Sequence, residues 1–273
     1  MSRNGPIALV FHTLFVIFML APILVVIWVA FTPEGYLSFP TDRWSLRWFY
    51  AIARYPEFVS AFWQSLMLGS LSSAIAVAIS VPAALALARY RFRGREAFAA
   101  LFMSPLMIPY IVLGIAFLRF FTQIGIGGTF TGLVLAHIVV VMPFALRLTL
   151  ASAVGLDRAI EHAAVSLGAS EWTVLKRVTL PLVVPGLASG WALAFINSFD
   201  EVTMTVFIAG PGTATLPVRM FLYIQDNIDP LVTSVSACVI AVTVAGMVAL
   251  DRAYGLERLL VGRGREQESR DGR

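Results

Sequence analysis

Six apolar runs organise the chain: 7–31, 59–88, 98–118, 131–150, 182–207 and 230–250. A bilayer's hydrocarbon core takes about 20 apolar residues per helix. The pattern therefore predicts an all-α membrane protein of six transmembrane helices. The first run exceeds the apolar stretch of roughly 7–15 residues of a signal peptide, and no small-x-small cleavage pattern follows it. It is expected to be a true span. Pro22, Pro82, Pro105, Pro109, Pro143 and Pro185 fall inside the runs. Neighbouring helices must re-satisfy the carbonyls these prolines free, which predicts a packed bundle.

Composition agrees. Of 273 residues, 59% are hydrophobic and 13% charged, with a net charge of +4. Mean hydropathy is +0.83. A soluble domain carries roughly 25% charged residues, so this chain has too little charge to solvate a globule. Cys238 stands alone, which excludes an internal disulfide and a thiolate metal site. His12, His137 and His162 lie in separate segments without metal-ligand spacing. No metal, cofactor or catalytic residue is expected. A phosphate-binding loop needs GxxxxGK followed by Ser or Thr. The only lysine, Lys176, sits between Leu175 and Arg177, so any ATP hydrolysis must come from another polypeptide.

Basic residues set the expected orientation. With the N-terminus in the cytoplasm, the inner segments hold Arg3, Arg89, Arg91, Arg93, Arg95, Arg147, Arg158, Lys176, Arg177, Arg252, Arg258, Arg263, Arg265, Arg270 and Arg273. Roughly three-quarters of the positive charge is then inside, as the positive-inside rule requires, and both termini are cytoplasmic. The basicity follows from this topology and from anionic lipid, and implies no nucleic acid. "RYRFRGR" at 89–95 directly abuts a span and reads as a cytoplasmic anchor.

The outer segment before the second span gathers Tyr36, Phe39, Trp44, Trp48, Phe49, Tyr50 and Tyr55. Trp44 to Ala53 can form a short helix on the membrane surface. Two readings fit: an aromatic belt at the headgroups, or a docking surface for an external partner.

Between the fourth and fifth runs the chain turns polar: "EHAAVSLGASEWTVLKRVTLP", Glu161 to Pro181. The segment predicts two short helices. Asp157 caps the first and Gly168 ends it in a left-handed turn. Ser170 caps the second, with Glu171 in its first turn and Lys176 and Arg177 in its last. Pro181 then marks re-entry into the membrane. Ala159, Ala163 and Ala164 leave a face that another protein surface can approach closely.

Ala163-Ala164, Gly168 after three intervening residues, and Val178-Thr179-Leu180-Pro181 after nine more resemble the signature of inner-membrane permeases of binding-protein-dependent ABC importers. That signature is Glu-Ala-Ala, three residues, Gly, nine residues, Ile-x-Leu-Pro. His162 holds the glutamate position, with Glu161 one residue earlier. "ARYRFRGREAF", "LGASEWTVLKRVTLPL" and "DEVTMTVFIAGPGTATLPVRMF" resemble the second permease of spermidine/putrescine-type importers. The resemblance implies a single permease domain over 1–273, with a cytoplasmic coupling loop at 155–181 in a bacterial inner membrane. It implies that Glu161, His162, Ala163, Ala164, Gly168, Leu180 and Pro181 engage an ATPase dimer. It further implies a sister permease, a periplasmic substrate-binding protein and a non-catalytic role for this chain.

Asp200 and Glu201 lie within the fifth run. An acid at such depth costs about 2.5–3.5 kcal/mol on insertion scales unless paired or facing water. On a continuous helix, Asn197 and Met204 share the face of Asp200, and Ser198 and Thr205 flank Glu201. Two readings are open: Asp200, Glu201 and Asn197 line a path for a cation, or the acids pair with a neighbouring helix. The expectation is a permease subunit forming half of the path for a small polyamine-like cation. The alternatives are another small solute, such as a betaine, an amino acid or iron, or an ion-coupled transporter acting alone.

Overall fold

The structure is a computed structural model and describes residues 5–41 and 43–254. Arg3, Arg258, Arg263, Arg265, Arg270 and Arg273, all counted above as inner charges, lie outside the described residues. Within these bounds the chain is helical, with no strand. Five helices are long and apolar enough to cross a membrane, or six if one sharply bent pair counts as a single span. The chain groups into two compact units.

One unit joins the described residues of 1–58 and 222–273. It contains α1 (Pro6–Val29), the short α2 (Arg47–Ile52) and the last helix, Leu231–Tyr254. The first helix is apolar on every face, and its spanning window has 0% of its residues buried. Only its end is enclosed, at Val29, Ala30 and Thr32. There Ser234 Oγ donates to the Ala30 carbonyl at 3.1 Å. The aromatic loop folds on the same end. Ser45 N–H donates to the Phe31 carbonyl at 2.8 Å, and Trp48 Nε1–H to the Glu34 carbonyl at 3.0 Å.

The other unit is 59–221. It carries most of α3 (Pro56–Arg89), then α4 (Arg95–Met103), α5 (Tyr110–Gln123) and α6 (Phe130–Val154). After these come α7 (Arg158–Ser166), α8 (Glu171–Val174), α9 (Leu180–Phe199), α10 (Thr205–Ile208) and the start of α11 (Leu216–Asp226); Leu231–Tyr254 is α12. Helix α6 is the centre, with 61% of its spanning window buried. Thr129 caps it by accepting from Gly132 N–H at 3.1 Å. Against α6 lies α9, along a seam of small residues. A Cβ on Gly190 would sit 3.2 Å from the Ala145 carbonyl, and one on Gly186 would sit 2.2 Å from the Ser152 Cβ. Small residues let helix backbones approach in this way, and dispersion then holds them where lipid offers no hydrophobic drive. Leu68, Phe121, Leu133, Val140 and Met204 fill the main core beside the seam.

Two expected spans have different backbones. The run expected as one helix over 98–118 is a pair, Arg95–Met107 and Tyr110–Gln123, bent by 100°. Pro105 lies in the tight turn Ser104–Met107, and Pro109 caps α5. Neither has an N–H to give, and Pro109 forces Ile108 into an extended conformation (φ −100°, ψ 127°). The run expected over 182–207 starts as a helix further back. Residues 171–199 form one continuous helical stretch, with a wide π turn at Leu175–Thr179. Pro181 lies inside this stretch, at the start of α9, and marks no break. The same run closes at Phe199, and Asp200 is the terminal cap.

Candidate functional site

The polar segment builds a small knob. Asp157 Oδ1 accepts from Ala159 N–H at 2.9 Å and caps α7. Gly168 ends the helix with φ +89°. Ser170 Oγ accepts from Thr173 N–H at 3.3 Å and caps α8. The two helices thus arise from local side-chain bonds to otherwise orphaned amides. The second is a single turn, and the π turn fuses it to α9.

Arginines from α4 and from the knob gather at the end of α3. Arg95 Nε–H and Nη2–H donate to the Leu87 carbonyl at 3.0 and 2.7 Å. Arg158 Nη2–H donates to the Ala88 carbonyl at 3.0 Å. Arg89 pairs with Glu161 at 2.5 Å, and the buried Thr179 hydroxyl donates to the same carboxylate. Cations at a helix C-terminus meet the negative end of its dipole and its unpaired carbonyls. Glu161 is therefore turned inward. His162, Ala163 and Gly168 are all exposed on the knob. Ala164 and Leu180 are both half-buried, and Pro181 is exposed. Leu167 is 89% exposed and Trp172 63%, so the knob presents large apolar groups at its surface. A cavity of about 780 Å³ opens between the knob and the end of α3, lined among others by Arg89, Tyr90, His162 and Trp172.

The interruption after α9 separates the two acids. Asp200 is exposed, and no side chain among the described residues bonds its carboxylate. Glu201 is 5% exposed. Its Oε1 accepts from Met204 N–H at 2.7 Å. Its Oε2 accepts from Thr205 N–H at 2.8 Å and from the Thr205 hydroxyl at 2.5 Å. The side chain re-starts the helix as α10, satisfying amides that the break would orphan. His137 of α6 spans the break: Nδ1 lies 2.7 Å from Ser198 Oγ, and Nε2 lies 3.0 Å from Thr205 Oγ1.

Because the helix stops at Phe199, the face expected around Asp200 does not form. Met204 turns into the core with 0% exposure. Asn197 donates from Nδ2 to the Leu193 carbonyl of its own helix at 2.8 Å. Thr205 does meet Glu201, through the cap. A further feature runs up to Asp200: Trp191, Phe195 and Phe199 form a ladder, with ring centroids 5.3 and 5.8 Å apart. Phe62 of α3 stands 6.3 Å from Phe199. The i, i+4, i+8 spacing of these rings is visible in the sequence, but it reads equally as ordinary helix packing, and His137 alone gives no sign of its two partners.

The described residues thus combine apolar spanning helices, a capped polar knob and an interrupted, acid-bearing helix. Residues 78–256 match the family model described as binding-protein-dependent transport system inner membrane component. The chain belongs to that family: it is a multi-pass, non-catalytic permease subunit of an ABC importer. This replaces the alternative of an ion-coupled transporter acting alone. The chain is 30% identical to the spermidine/putrescine transport system permease protein PotC of Haemophilus influenzae, over 89% of this chain and 92% of that one. It is 30% identical to the putrescine transport system permease protein PotI of Escherichia coli, over 85% of each. Among solved structures, a bacterial ABC transporter involved in the import of the acidic polysaccharide alginate superposes with a TM-score of 0.68 at 16% identity, covering 93% of this chain and 98% of that one. The last likeness concerns the fold alone.

Proposed function

We propose that this subunit forms half of an import path for a small polyamine, and that Asp200 is its path-facing anion. The observation that carries the reading is the contrast between two adjacent acids. Glu201 is buried and fully bonded, whereas Asp200 is exposed and unpaired among the described residues, at the end of an aromatic ladder. A cation leaving water needs anionic or aromatic partners, because desolvation otherwise costs several kcal/mol. Ring faces within about 6 Å supply part of that attraction. The names of the PotC and PotI relatives support a polyamine as cargo.

The same reading places the knob on an ATPase dimer in the cytoplasm, through His162, Ala163, Ala164, Gly168 and the exposed Leu167 and Trp172. Glu161 acts behind this surface, and Leu180 and Pro181 continue it into α9. Both termini are cytoplasmic, a sister permease completes the path, and a periplasmic binding protein delivers the solute. The distribution of arginines supports this orientation.

The test is uptake of labelled putrescine and spermidine by the importer reconstituted in proteoliposomes. Asp200→Asn keeps the shape and removes the charge. Uptake is expected to fall at least tenfold, while complex yield and ATP hydrolysis stimulated by the binding protein persist. Normal uptake by the variant would sink the assignment of Asp200.

A further inference from the structure

The break between α9 and α10 is held from one side by a single residue of α6. His137 is 1% exposed, and its two ring nitrogens reach the two banks of the break, Ser198 before it and Thr205 after it. Thr205 in turn reaches Glu201. Asp200 lies between the banks, and its carboxylate has no side-chain bond among the described residues to fix it.

Counting protons gives this chain of bonds a direction. The Glu201 carboxylate already takes two backbone N–H groups, which can only donate. As an anion it also accepts the Thr205 hydroxyl proton. The Thr205 oxygen then faces His137 only as an acceptor, so Nε2 must carry a hydrogen. A neutral ring with its proton on Nε2 has a bare Nδ1, and Ser198 donates to it. Each hydrogen in the chain is donated once, and each bond polarises the next.

We infer that His137, held as the Nε2–H tautomer, is the positioning residue of the interrupted segment. It staples Ser198 to Thr205 and so fixes where the intervening Asp200 is presented. It does not touch cargo. The transport consequence rests on the reading of Asp200 as the path anion; the proton order does not.

Two measurements test the inference on the importer purified through this chain and reconstituted in lipid. With three histidines in the sequence, ¹⁵N-histidine labelling of this chain gives a spectrum that His137→Gln assigns by loss of one set of signals. Solid-state ¹⁵N spectra should show His137 protonated at Nε2 alone. Thr205→Val, which removes the acceptor, should allow the Nδ1–H form to appear. A wild-type ring protonated at Nδ1, or at both nitrogens, would overturn the proton order.

The second measurement is spermidine and putrescine uptake. His137→Leu should lower maximal uptake about tenfold at unchanged affinity for the loaded binding protein, with ATP hydrolysis retained. His137→Gln keeps an amide N–H directed at Thr205 and should restore at least a third of the wild-type rate. Equal uptake in the two variants would overturn the positioning role and leave His137 as packing. Asp200→Asn separates the two readings. If it transports normally while the Nε2–H tautomer stands, the assignment of Asp200 fails and the staple survives.

Discussion

The Arg89 guanidinium meets the Glu161 carboxylate at 2.5 Å, joining the last turn of a spanning helix to the first turn of the knob. Thr179, in the π turn that leads into α9, donates to the same carboxylate. Three elements distant in sequence thus converge on one acid that is 13% exposed. Through Glu161 the knob is tied both to α3 and to the π turn that leads into α9.

Glu161→Gln keeps the shape but removes the charge, and a hydrogen bond to a charged group is worth about 1.5–3 kcal/mol. The variant should unfold at lower temperature in detergent and hydrolyse ATP with less uptake per turnover. Arg89→Gln should cost a similar amount, and the double variant much less than the sum. Additive losses in thermal melts would show that the pair does not act as a unit.

Gly168 has φ +89° and open space where a Cβ would point. Its requirement is therefore of backbone and not of volume. Gly168→Val should cost about 1–2 kcal/mol, the penalty of a left-handed L-residue. Gly168→Asn, which tolerates that region, should keep most activity. Pull-down of the ATPase subunit is the readout, and equal retention by the Val and Asn variants would count against the turn as the critical feature.

The α6–α9 seam is limited by volume. Gly186→Ala would place a methyl group 2.2 Å from the Ser152 Cβ, and overpacking of this kind costs about 1–3 kcal/mol. Ser152→Gly should rescue it. Thermal stability of the double variant at or below that of Gly186→Ala would refute the contact as the cause.

The aromatic loop holds two kinds of ring. Trp48 is 8% exposed and bonded to Glu34, whereas Tyr50 is 74% exposed. Trp48→Ala is expected to loosen the loop and raise its protease sensitivity. Tyr50→Ala tests docking directly, since it leaves the loop intact. A tenfold loss of affinity for the loaded binding protein in Tyr50→Ala would favour docking, and no change would favour an interfacial belt.

Hydropathy made the helices legible, because a bilayer imposes one length on each apolar run. Local chemistry made the knob legible: Asp157, Gly168 and Ser170 each act within four residues of their own position. The break at Asp200 was not legible, because its cause is distributed. The apolar residues on either side of Asp200 and Glu201 read in the sequence as one continuing helix. The structure departs there because Glu201 finds backbone amides and His137, on another helix, bonds both sides. The bend at Pro109 lay between these cases. Pro105 and Pro109 were evident in the sequence, but spanning helices accept single prolines, and only their combination with the extended Ile108 turns the chain by 100°.

The π turn at Leu175–Thr179 has a consequence at the level of the gene. A wide turn holds one residue more than an α-helix would over the same stretch. Loss of a single codon inside the turn would remove that spare residue, close the turn into regular α-helix and keep Trp172 in phase with α9. Loss of a single codon between Leu180 and Gly186, where no residue is spare, would rotate the residues before it by about 100° relative to those after it. Gly186 and Gly190 fix the phase of α9 on α6, so that rotation would fall on Trp172 and the knob. Two deletions a few codons apart, alike in hydropathy, would thus differ in outcome: one absorbed by the wide turn, the other turning the face of Trp172 away from whatever it meets.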